Sequence, residues 1–149
     1  MTDIEKQEKR QQIVAEVKSW ILTPFHHQGR VKGAGVDCGM LILEVFERVG
    51  LTPHIIPDYY PPDFMMHRQE EWYLATMASW GVEILEPPYL PGDGFVVRHG
   101  RIYSHGGIII DYPNVIHANS LEKCVCYGKL TDPMFEGRTP RIFRHKELL

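Results

Sequence analysis

The stretch that most constrains the fold is a glycine-rich approach to Cys38 followed at once by an apolar run, Gly-Val-Asp-Cys-Gly-Met-Leu-Ile-Leu-Glu-Val-Phe at positions 35–46. Behind Cys38, apolar side chains recur at helical spacing on one face, and charged side chains fall on the other. The apolar face carries Leu41, Ile42, Val45, Phe46 and Val49, and the charged face carries Glu44, Glu47 and Arg48. Gly50 predicts the C-terminal end of this helix. The pattern therefore predicts a helix that begins at Cys38 and buries one face.

Cys38 would lie in the first turn of that helix, where free backbone N–H groups and the positive end of the helix dipole stabilise negative charge. A thiol in such a place titrates well below its ordinary pKa of about 8.5, and its thiolate is a nucleophile. The alternative is that Cys38 is a small core residue, since unpaired cysteines are commonly buried. The flexible glycine approach and the neighbouring Asp37 favour the nucleophile, because a packing cysteine needs neither.

Composition excludes several classes of protein. The 149 residues are 44% hydrophobic and carry a formal net charge of −3, which is typical of a single domain over 1–149 that binds neither nucleic acid nor an anionic membrane. Three cysteines without CxxC spacing indicate neither a disulfide framework nor a zinc ribbon. No signal-peptide pattern opens the sequence, and no apolar run is long enough to span a membrane. We therefore expect a chain that is cytoplasmic as synthesised, with no cofactor.

The N-terminal part predicts a first helix over residues 5–22, which ends before Thr23 and Pro24. Its apolar stripe comprises Ile13, Val14, Val17, Trp20 and Ile21. The loop that follows must approach Cys38 in space, and it carries His26 and His27. No cysteine or carboxylate stands near these histidines at metal-ligand spacing, so we expect no metal site there.

The remaining sequence predicts one more helix and then a run of strands. A proline-rich connection over 53–62 leads into a helical pattern over 64–80, which we expect to pack over the core rather than to form a wall of a substrate groove. From Val82 onward the hydrophobic period is that of strands. The strand patterns lie at 94–98, 102–111, 115–118, 124–127 and 141–144, with turn signals at 91–93, 99–100 and 112–113. Helices followed by antiparallel strands make an α+β fold.

Two histidines in the strand region, His105 and His117, are candidates for the base that a thiol nucleophile needs. If the loop between their strands is centred on Tyr112, His117 lies opposite Gly107 and one diagonal step from His105, on the same face of the sheet. A two-residue loop would shift the register by one and turn the two rings to opposite faces. The alternative is a pair of unrelated, partly buried histidines. Gly106 and Gly107 argue against it, because they leave room for a substrate or a bulge.

Four features in this order resemble the NlpC-type cell-wall cysteine peptidases. They are Gly-Val-Asp-Cys-Gly-Met-Leu at 35–41, Pro-Gly-Asp at 91–93, Ser-His-Gly-Gly-Ile-Ile-Ile at 104–110, and a second histidine twelve residues after the first. The resemblance implies a circularly permuted papain-like fold, in which the cysteine opens a helix packed on a small antiparallel sheet. It implies Cys38 as nucleophile, His105 as general base and His117 as the orienting polar residue. The implied reaction is cleavage of an amide bond in peptidoglycan stem peptides, often between D-glutamate and a diamino acid.

The chain departs from the usual pattern of that family at two positions of the site. Gly39 stands where the family usually has serine, so a hydroxyl that commonly contacts substrate is missing. Phe25, or His26 if the gap falls differently, stands where the family has a tyrosine associated with the oxyanion site. Phenylalanine cannot donate a hydrogen bond to the oxyanion. The oxyanion would then be stabilised by the backbone N–H of Cys38, with help from His26. A missing donor typically raises the activation barrier by about 2.7–4 kcal/mol. Asp37 is kept, either to hold a substrate amine or to fix the loop.

The compact size, the absence of a signal peptide and the absence of a wall-binding repeat resemble the phage-encoded branch of the family. Members of that branch are associated with tail assembly and with local wall digestion during DNA injection, which implies phage tail proteins as partners. Two alternatives stay open. One is a tail structural protein that kept the fold and lost efficient catalysis, and the other is a papain-like acyltransferase or amidase acting on a small amide or lipid. Cys124 and Cys126 lie on one face of a predicted strand, and we expect them to pack.

Overall fold

The computed structural model describes residues 1–57, 72–100 and 102–149. The helices are α1 (Asp3–Lys18), α2 (Cys38–Arg48) and α3 (Trp72–Trp80). The strands are β1 (Arg30–Val31), β2 (Gly35–Val36), β3 (Gly81–Ile84), β4 (Gly94–His99), β5 (Ile102–Asp111), β6 (Asn114–Asn119), β7 (Cys124–Lys129) and β8 (Arg141–His145). Short 3₁₀ turns cover Pro133–Phe135 and Lys146–Leu148. Among these residues, no helix combines the length and the apolar character that crossing a bilayer requires.

The last six strands form one antiparallel sheet in the order β3-β8-β4-β5-β6-β7, while β1 and β2 form a separate small hairpin. Helix α2 packs against β5 and β6, and α1 and α3 pack beside it on the same core. Helices therefore precede and cover an antiparallel sheet, which confirms the predicted α+β fold. The central position of β5 brings its residues close to the N-terminus of α2.

Alternating side chains along the strands build two apolar clusters, one on each face of the sheet. The helical face buries Val96, Ile108 and Ile116 against the three helices. The opposite face buries a second cluster, with residues offset by one along the same strands. Its members are Phe95, Val97, Ile109, Val115, Phe135 and Ile142. Both faces of β4, β5 and β6 are therefore covered. Because consecutive residues point to opposite faces, the sequences of these strands are continuous apolar runs.

Helix α1 is displaced from its predicted bounds, since it begins at Asp3 and ends at Lys18 rather than spanning 5–22. It begins earlier because Thr2 and Glu5 form a capping box. It ends earlier because the chain turns to pair with β7. The N–H of Leu22 donates to the carbonyl oxygen of Val125 at 2.9 Å, and the N–H of Val125 donates to that of Thr23 at 2.9 Å. Tertiary pairing thus overrides the helical pattern beyond Lys18.

Helix α2 begins at Cys38 as predicted, and Gly50 lies just beyond its end with φ +77°. The N–H of Gly50 donates to the carbonyl of Glu47, and the N–H of Leu51 donates to that of Phe46, which is the Schellman arrangement. The predicted charged face is wrong at Glu44, which is buried at 9% exposure and bonded to Arg30. The reason is that the β1–β2 hairpin covers this side of the helix with an arginine.

Helix α3 accounts for the described part of the helix predicted over 64–80. The stretch 64–71 and residues 58–62 of the proline-rich connection lie outside the described residues. Helix α3 ends at Trp80, as predicted, and β3 begins directly at Gly81. A Cβ at Gly81 would lie 3.0 Å from the carbonyl oxygen of Met77, so glycine permits the direct step from helix to strand.

Candidate active site

The N-terminus of α2 is fixed by Asp37, the residue directly before Cys38. Its Oδ1 accepts a hydrogen bond from the N–H of Met40 at 2.9 Å, and its Oδ2 accepts one from the N–H of Gln28 at 2.8 Å. The first bond caps the helix, and the second ties the preceding loop to it. Of the two uses expected for Asp37, this geometry favours fixing the loop.

The glycines before Cys38 serve a close approach of backbone segments. A Cβ at Gly29 would lie 2.7 Å from the carbonyl carbon of Gly35, and a Cβ at Gly35 would lie 2.8 Å from the Cβ of His26. Any larger residue at either position would separate the two segments. Phe25 forms a bridge with Val36, so the loop over 24–29 lies against the strand that leads into α2.

Cys38 is the first residue of α2 and is only 9% exposed. Its Sγ lies 3.7 Å from the backbone oxygen of Ser104, to which the thiol donates. Burial raises the pKa of Cys38 to about 12, and the Asp37 carboxylate acts in the same direction. The nearby Tyr73 hydroxyl and the N–H groups of Gly106 and Gly39 act in the opposite direction and lower this pKa, but by less. The predicted resting thiolate is therefore wrong, because desolvation outweighs the helix N-terminus.

His105 and His117 lie in direct contact, with 2.8 Å between His105 Nε2 and His117 Nδ1. The two alternatives for the β5–β6 loop are resolved in an unexpected way. Asp111 pairs with Asn114, so the loop has two residues, but an irregularity between Ile109 and Asp111 restores the register of the longer loop. Both rings therefore lie on one face of the sheet, packed against Phe135 at centroid distances of 6.2 and 5.7 Å.

Both imidazoles of this pair are neutral at pH 7. Burial, followed by His117, His99 and Arg138, lowers the pKa of His105 well below 6.5. Burial lowers the pKa of His117 to about 4, against a smaller opposing effect of the Asp132 carboxylate. Since Nε2 of His105 is engaged with His117, its Nδ1 is the nitrogen left for exchanging a proton.

A cavity of about 290 Å³ opens at Cys38. Its walls include five residues predicted for the site. They are Phe25, Asp37, Cys38, Gly39 and His105. His117 lies behind His105 and is 1% exposed, so it reaches the cavity only through that ring. His26 is exposed, and its Nδ1 lies 3.0 Å from the backbone oxygen of His27. The histidine of this loop that lines the cavity is His27.

Of the lining residues that were not predicted, three carry aromatic rings. Trp72 and Tyr73 come from the start of α3, so this helix forms a wall of the cavity as well as packing on the core, contrary to expectation. His99, at the end of β4, also lines the cavity, and its Nε2 is buried without a partner among the described residues. Nothing local in the sequence marks these three, because their position depends on how distant elements pack.

Other features of the molecule fit the chemistry less well. A second cavity of about 840 Å³ runs along α1, but its described lining holds no cysteine, serine or histidine. Ligand atoms of Glu44, Glu47 and His54 lie within 4.8 Å of one another, at metal-ligand separation. Arg30 forms ion pairs with both Glu44 and Glu47, so a positive charge already neutralises the carboxylates and the cluster is a poor cation site.

Comparison with solved structures identifies the fold. The NlpC/p60 domain of the peptidoglycan hydrolase SagA is 20% identical with a TM-score of 0.63, over 89% of this chain and 97% of that one. An NlpC/p60 family protein from Bacillus cereus is 20% identical with a TM-score of 0.66, over 91% of this chain and 40% of that one. The peptidoglycan hydrolase RipB from Mycobacterium tuberculosis is 17% identical with a TM-score of 0.63, over 97% and 68%.

The chain thus spans nearly all of the SagA domain but less than half of the Bacillus cereus protein. No protein-family model and no curated protein matches the sequence. At this level of identity the likeness concerns the fold, and the predicted papain-like architecture of NlpC/p60 proteins is confirmed.

Proposed function

We propose that this chain is a cysteine peptidase of the NlpC type that cleaves amide bonds in peptidoglycan stem peptides. The observation that carries the proposal is that Cys38, at the start of α2, shares one cavity with His105, whose Nε2 lies 2.8 Å from His117. A nucleophile, a base and a group that orients the base are the parts that thiol-dependent acyl transfer requires. Support for the substrate comes from SagA and RipB, which are named peptidoglycan hydrolases and share the fold.

In the proposed reaction, Cys38 Sγ attacks the carbonyl carbon of the scissile amide. His105 accepts the thiol proton at Nδ1 as the sulfur–carbon bond forms, and then delivers it to the leaving amine as the carbon–nitrogen bond breaks. The resulting thioester is hydrolysed by a water molecule that His105 deprotonates, which releases the acid and restores the thiol. Because the resting pair is neutral, the proton leaves the sulfur during attack rather than beforehand.

His117 is proposed to set the tautomer of His105. When Nε2–H of His105 donates to Nδ1 of His117, the opposite nitrogen of His105 carries a lone pair and can act as the base. Burial keeps His117 neutral, so that its Nδ1 is available as the acceptor. The Asp132 carboxylate lies on the far side of His117 and favours a proton on that ring.

The oxyanion is proposed to be stabilised by the backbone N–H of Cys38, since Phe25 lines the cavity without a donor. His26, considered from the sequence as a helper, faces solvent, so we assign no part of the reaction to it. Each missing donor costs about 2.7–4 kcal/mol of barrier, which predicts a slower enzyme than one with a full set.

The test is digestion of purified muropeptides, followed by mass spectrometry of the fragments. Wild-type protein should release peptides cleaved at one amide position, and Cys38→Ala should release none while keeping its thermal unfolding temperature. Cys124→Ala is the matched control, because it removes a thiol on β7, outside the cavity lining. Turnover by Cys38→Ala would contradict the proposal.

A second candidate is a tail structural protein that kept the fold with little catalysis. The observation that favours it is that Phe25 and Gly39 line the cavity without a side-chain hydroxyl. The two candidates part on turnover: a structural protein shows no cleavage of any muropeptide at any pH between 5 and 9.

The phage-encoded setting is also part of the proposal, and its only support is the resemblance to the phage-encoded branch of the family. The partners would be phage tail proteins, and the site of action would be the wall beneath an adsorbed virion. Mass spectrometry of purified virions tests this setting, since a tail-associated peptidase is present in particles from which free protein has been removed.

A further inference from the structure

Tyr73 lies in the wall of the cavity that contains the Cys38 sulfur, and no sequence motif marks it. It is the second residue of α3 and is 2% exposed, and it shares the cavity wall with Cys38 and His105. Its ring is therefore held by packing rather than free to sample solvent. A tyrosine buried this deeply brings a hydroxyl that needs a polar partner.

Two glycines border this ring, and Gly106 makes room for it. A Cβ at Gly106 would lie 3.1 Å from Cε1 and 3.3 Å from Cζ of Tyr73, and a Cβ at Gly39 would lie 3.6 Å from Cε2. The ring thus fits between the first turn of α2 and strand β5, with its hydroxyl-bearing carbon beside Gly106. The absence of a side chain at Gly106 therefore allows the phenol ring to lie against β5.

The other groups around the sulfur show what the hydroxyl contributes. The carbonyl oxygen of Ser104 accepts from the thiol at 3.7 Å and so favours the protonated form. The buried Asp37 carboxylate also opposes negative charge on the sulfur. A hydroxyl donor acts in the opposite direction, because it donates to the thiolate that the reaction must generate.

We propose that Tyr73 is a catalytic residue, whose hydroxyl donates a hydrogen bond to Cys38 Sγ and stabilises the thiolate form. Helix α3 thereby brings a side-chain hydroxyl into a cavity where Phe25 offers none. The inference rests on the proposed function only in taking Cys38 as the nucleophile. It makes Gly106 a positioning residue, since a Cβ there would press on the ring.

The experiment measures alkylation of Cys38 by iodoacetamide between pH 6 and 10, with the Tyr73→Phe variant beside wild type. Peptide mass spectrometry must resolve the site, because Cys124 and Cys126 are also free. Tyr127→Phe is the matched control, since it removes the same hydroxyl from an exposed ring on β7. Unfolding temperatures check that each variant keeps the fold.

We expect Tyr73→Phe to slow alkylation of Cys38 by about five- to tenfold at pH 7, while Tyr127→Phe leaves it unchanged. The magnitude follows from a hydrogen bond to a charged group, reduced because a thiolate of higher pKa is also a better nucleophile. Removing an oxygen can only widen access to the sulfur, so slower reaction cannot come from obstruction. An unchanged or faster rate in Tyr73→Phe would overturn the proposal.

Failure of this inference and failure of the proposed function are distinguishable, because alkylation needs no peptidoglycan. If the wild-type protein shows no turnover but its alkylation depends on Tyr73, the peptidase proposal is contradicted and the role of the hydroxyl is supported. If the wild-type protein shows turnover but its alkylation does not depend on Tyr73, the peptidase proposal is supported and the role of the hydroxyl is contradicted.

Discussion

His105 Nε2 lies 2.8 Å from His117 Nδ1, although the two residues are 12 apart in the chain and on different strands. The contact exists because β5 and β6 pair with Ile108 opposite Ile116, which places both rings on the face that carries Phe135. One ring lines the cavity, and the other is fully enclosed behind it. The arrangement gives His105 one nitrogen that is held and one that is available.

The first prediction is that His117→Phe lowers kcat on muropeptides by about a hundredfold, with a smaller change in KM. Phenylalanine fills the space but cannot accept from His105, so the base loses its preferred tautomer and orientation, and misplacement of a reacting group typically costs about this much. Steady-state kinetics measure it. His117→Asn, which keeps an acceptor, should retain part of the rate. Equal losses in the two variants would show that a hydrogen-bond acceptor at position 117 does not contribute to the rate.

The second prediction concerns stability in acid. The pKa of His117 is about 6.5 in the unfolded chain and about 4 in the folded one, so the unfolded chain binds more protons between these values. Stability is therefore full above about pH 6.5 and is lost as pH falls towards 4, by about 3 kcal/mol from this residue. His99, His105 and His145, whose pKa values are also lowered, act in the same direction.

Urea unfolding at pH 7 and pH 4.5 measures this loss. His117→Asn has no titrating group at that position, so its loss of stability between the two pH values should be smaller by about 2 kcal/mol or more. His26→Asn is the control, because it removes an exposed imidazole. An identical pH dependence in wild type and His117→Asn would contradict the prediction.

Local signals in the sequence were sufficient for most of the fold. The start of α2 at Cys38, its end at Gly50 and the five strand patterns from Gly94 onward depend on neighbours in the chain, and the structure confirms them. The end of α1 does not depend on neighbours in the chain. The helix ends where the chain turns to pair with Val125, more than a hundred residues later. Glu44 was misplaced for the same reason, since the partner that buries it comes from the β1–β2 hairpin.

For the proposed site, the sequence predicted which residues lie near one another better than it predicted their electrostatics. Cys38, His105 and His117 belong to motifs, and the structure brings all three together. The pKa of Cys38 was predicted in the wrong direction, because a helix N-terminus is a local feature and burial is not. Tyr73 and Trp72 were missed because only the packing of α3 carries them to the cavity.

The third prediction is that Asp93→Asn destabilises the fold by about 3–5 kcal/mol, the usual cost of breaking a buried ion pair from one side. Asp93 is fully buried and pairs with Arg10 of α1 at 3.3 Å and with Arg144 of β8 at 2.8 Å. Its neutral replacement leaves two nearly buried guanidinium groups without a counter-charge. The Pro-Gly-Asp turn therefore joins the first helix to the last strand.

Urea unfolding at pH 7 measures this cost. The control is Asp111→Asn, a change of the same chemistry at an exposed position at the end of β5. It should cost less than about 0.5 kcal/mol. A small effect of Asp93→Asn, comparable to that of the control, would show that Arg10 and Arg144 find other partners without loss.

The fourth prediction is that Gly39→Ser destabilises the fold by about 1–3 kcal/mol and slows turnover, although serine is the residue expected here from the resemblance. A Cβ at Gly39 would lie 3.0 Å from Cζ3 and 3.1 Å from Cη2 of Trp72, so the indole must move. The Trp72 ring contacts the Tyr73 ring edge to face, with 5.6 Å between the centroids, so its displacement disturbs a ring that lines the cavity with Cys38. The glycine and the indole are thus complementary in shape.

A double-mutant cycle with Trp72→Leu isolates this contact. Trp72→Leu alone should be destabilising, but it leaves space for a side chain at position 39. The double variant should therefore be more stable than the sum of the two single changes predicts, by about 1 kcal/mol. Ala34→Ser, in the exposed turn between β1 and β2, controls for the serine itself. Strict additivity would mean that Gly39 is retained for a reason other than the indole.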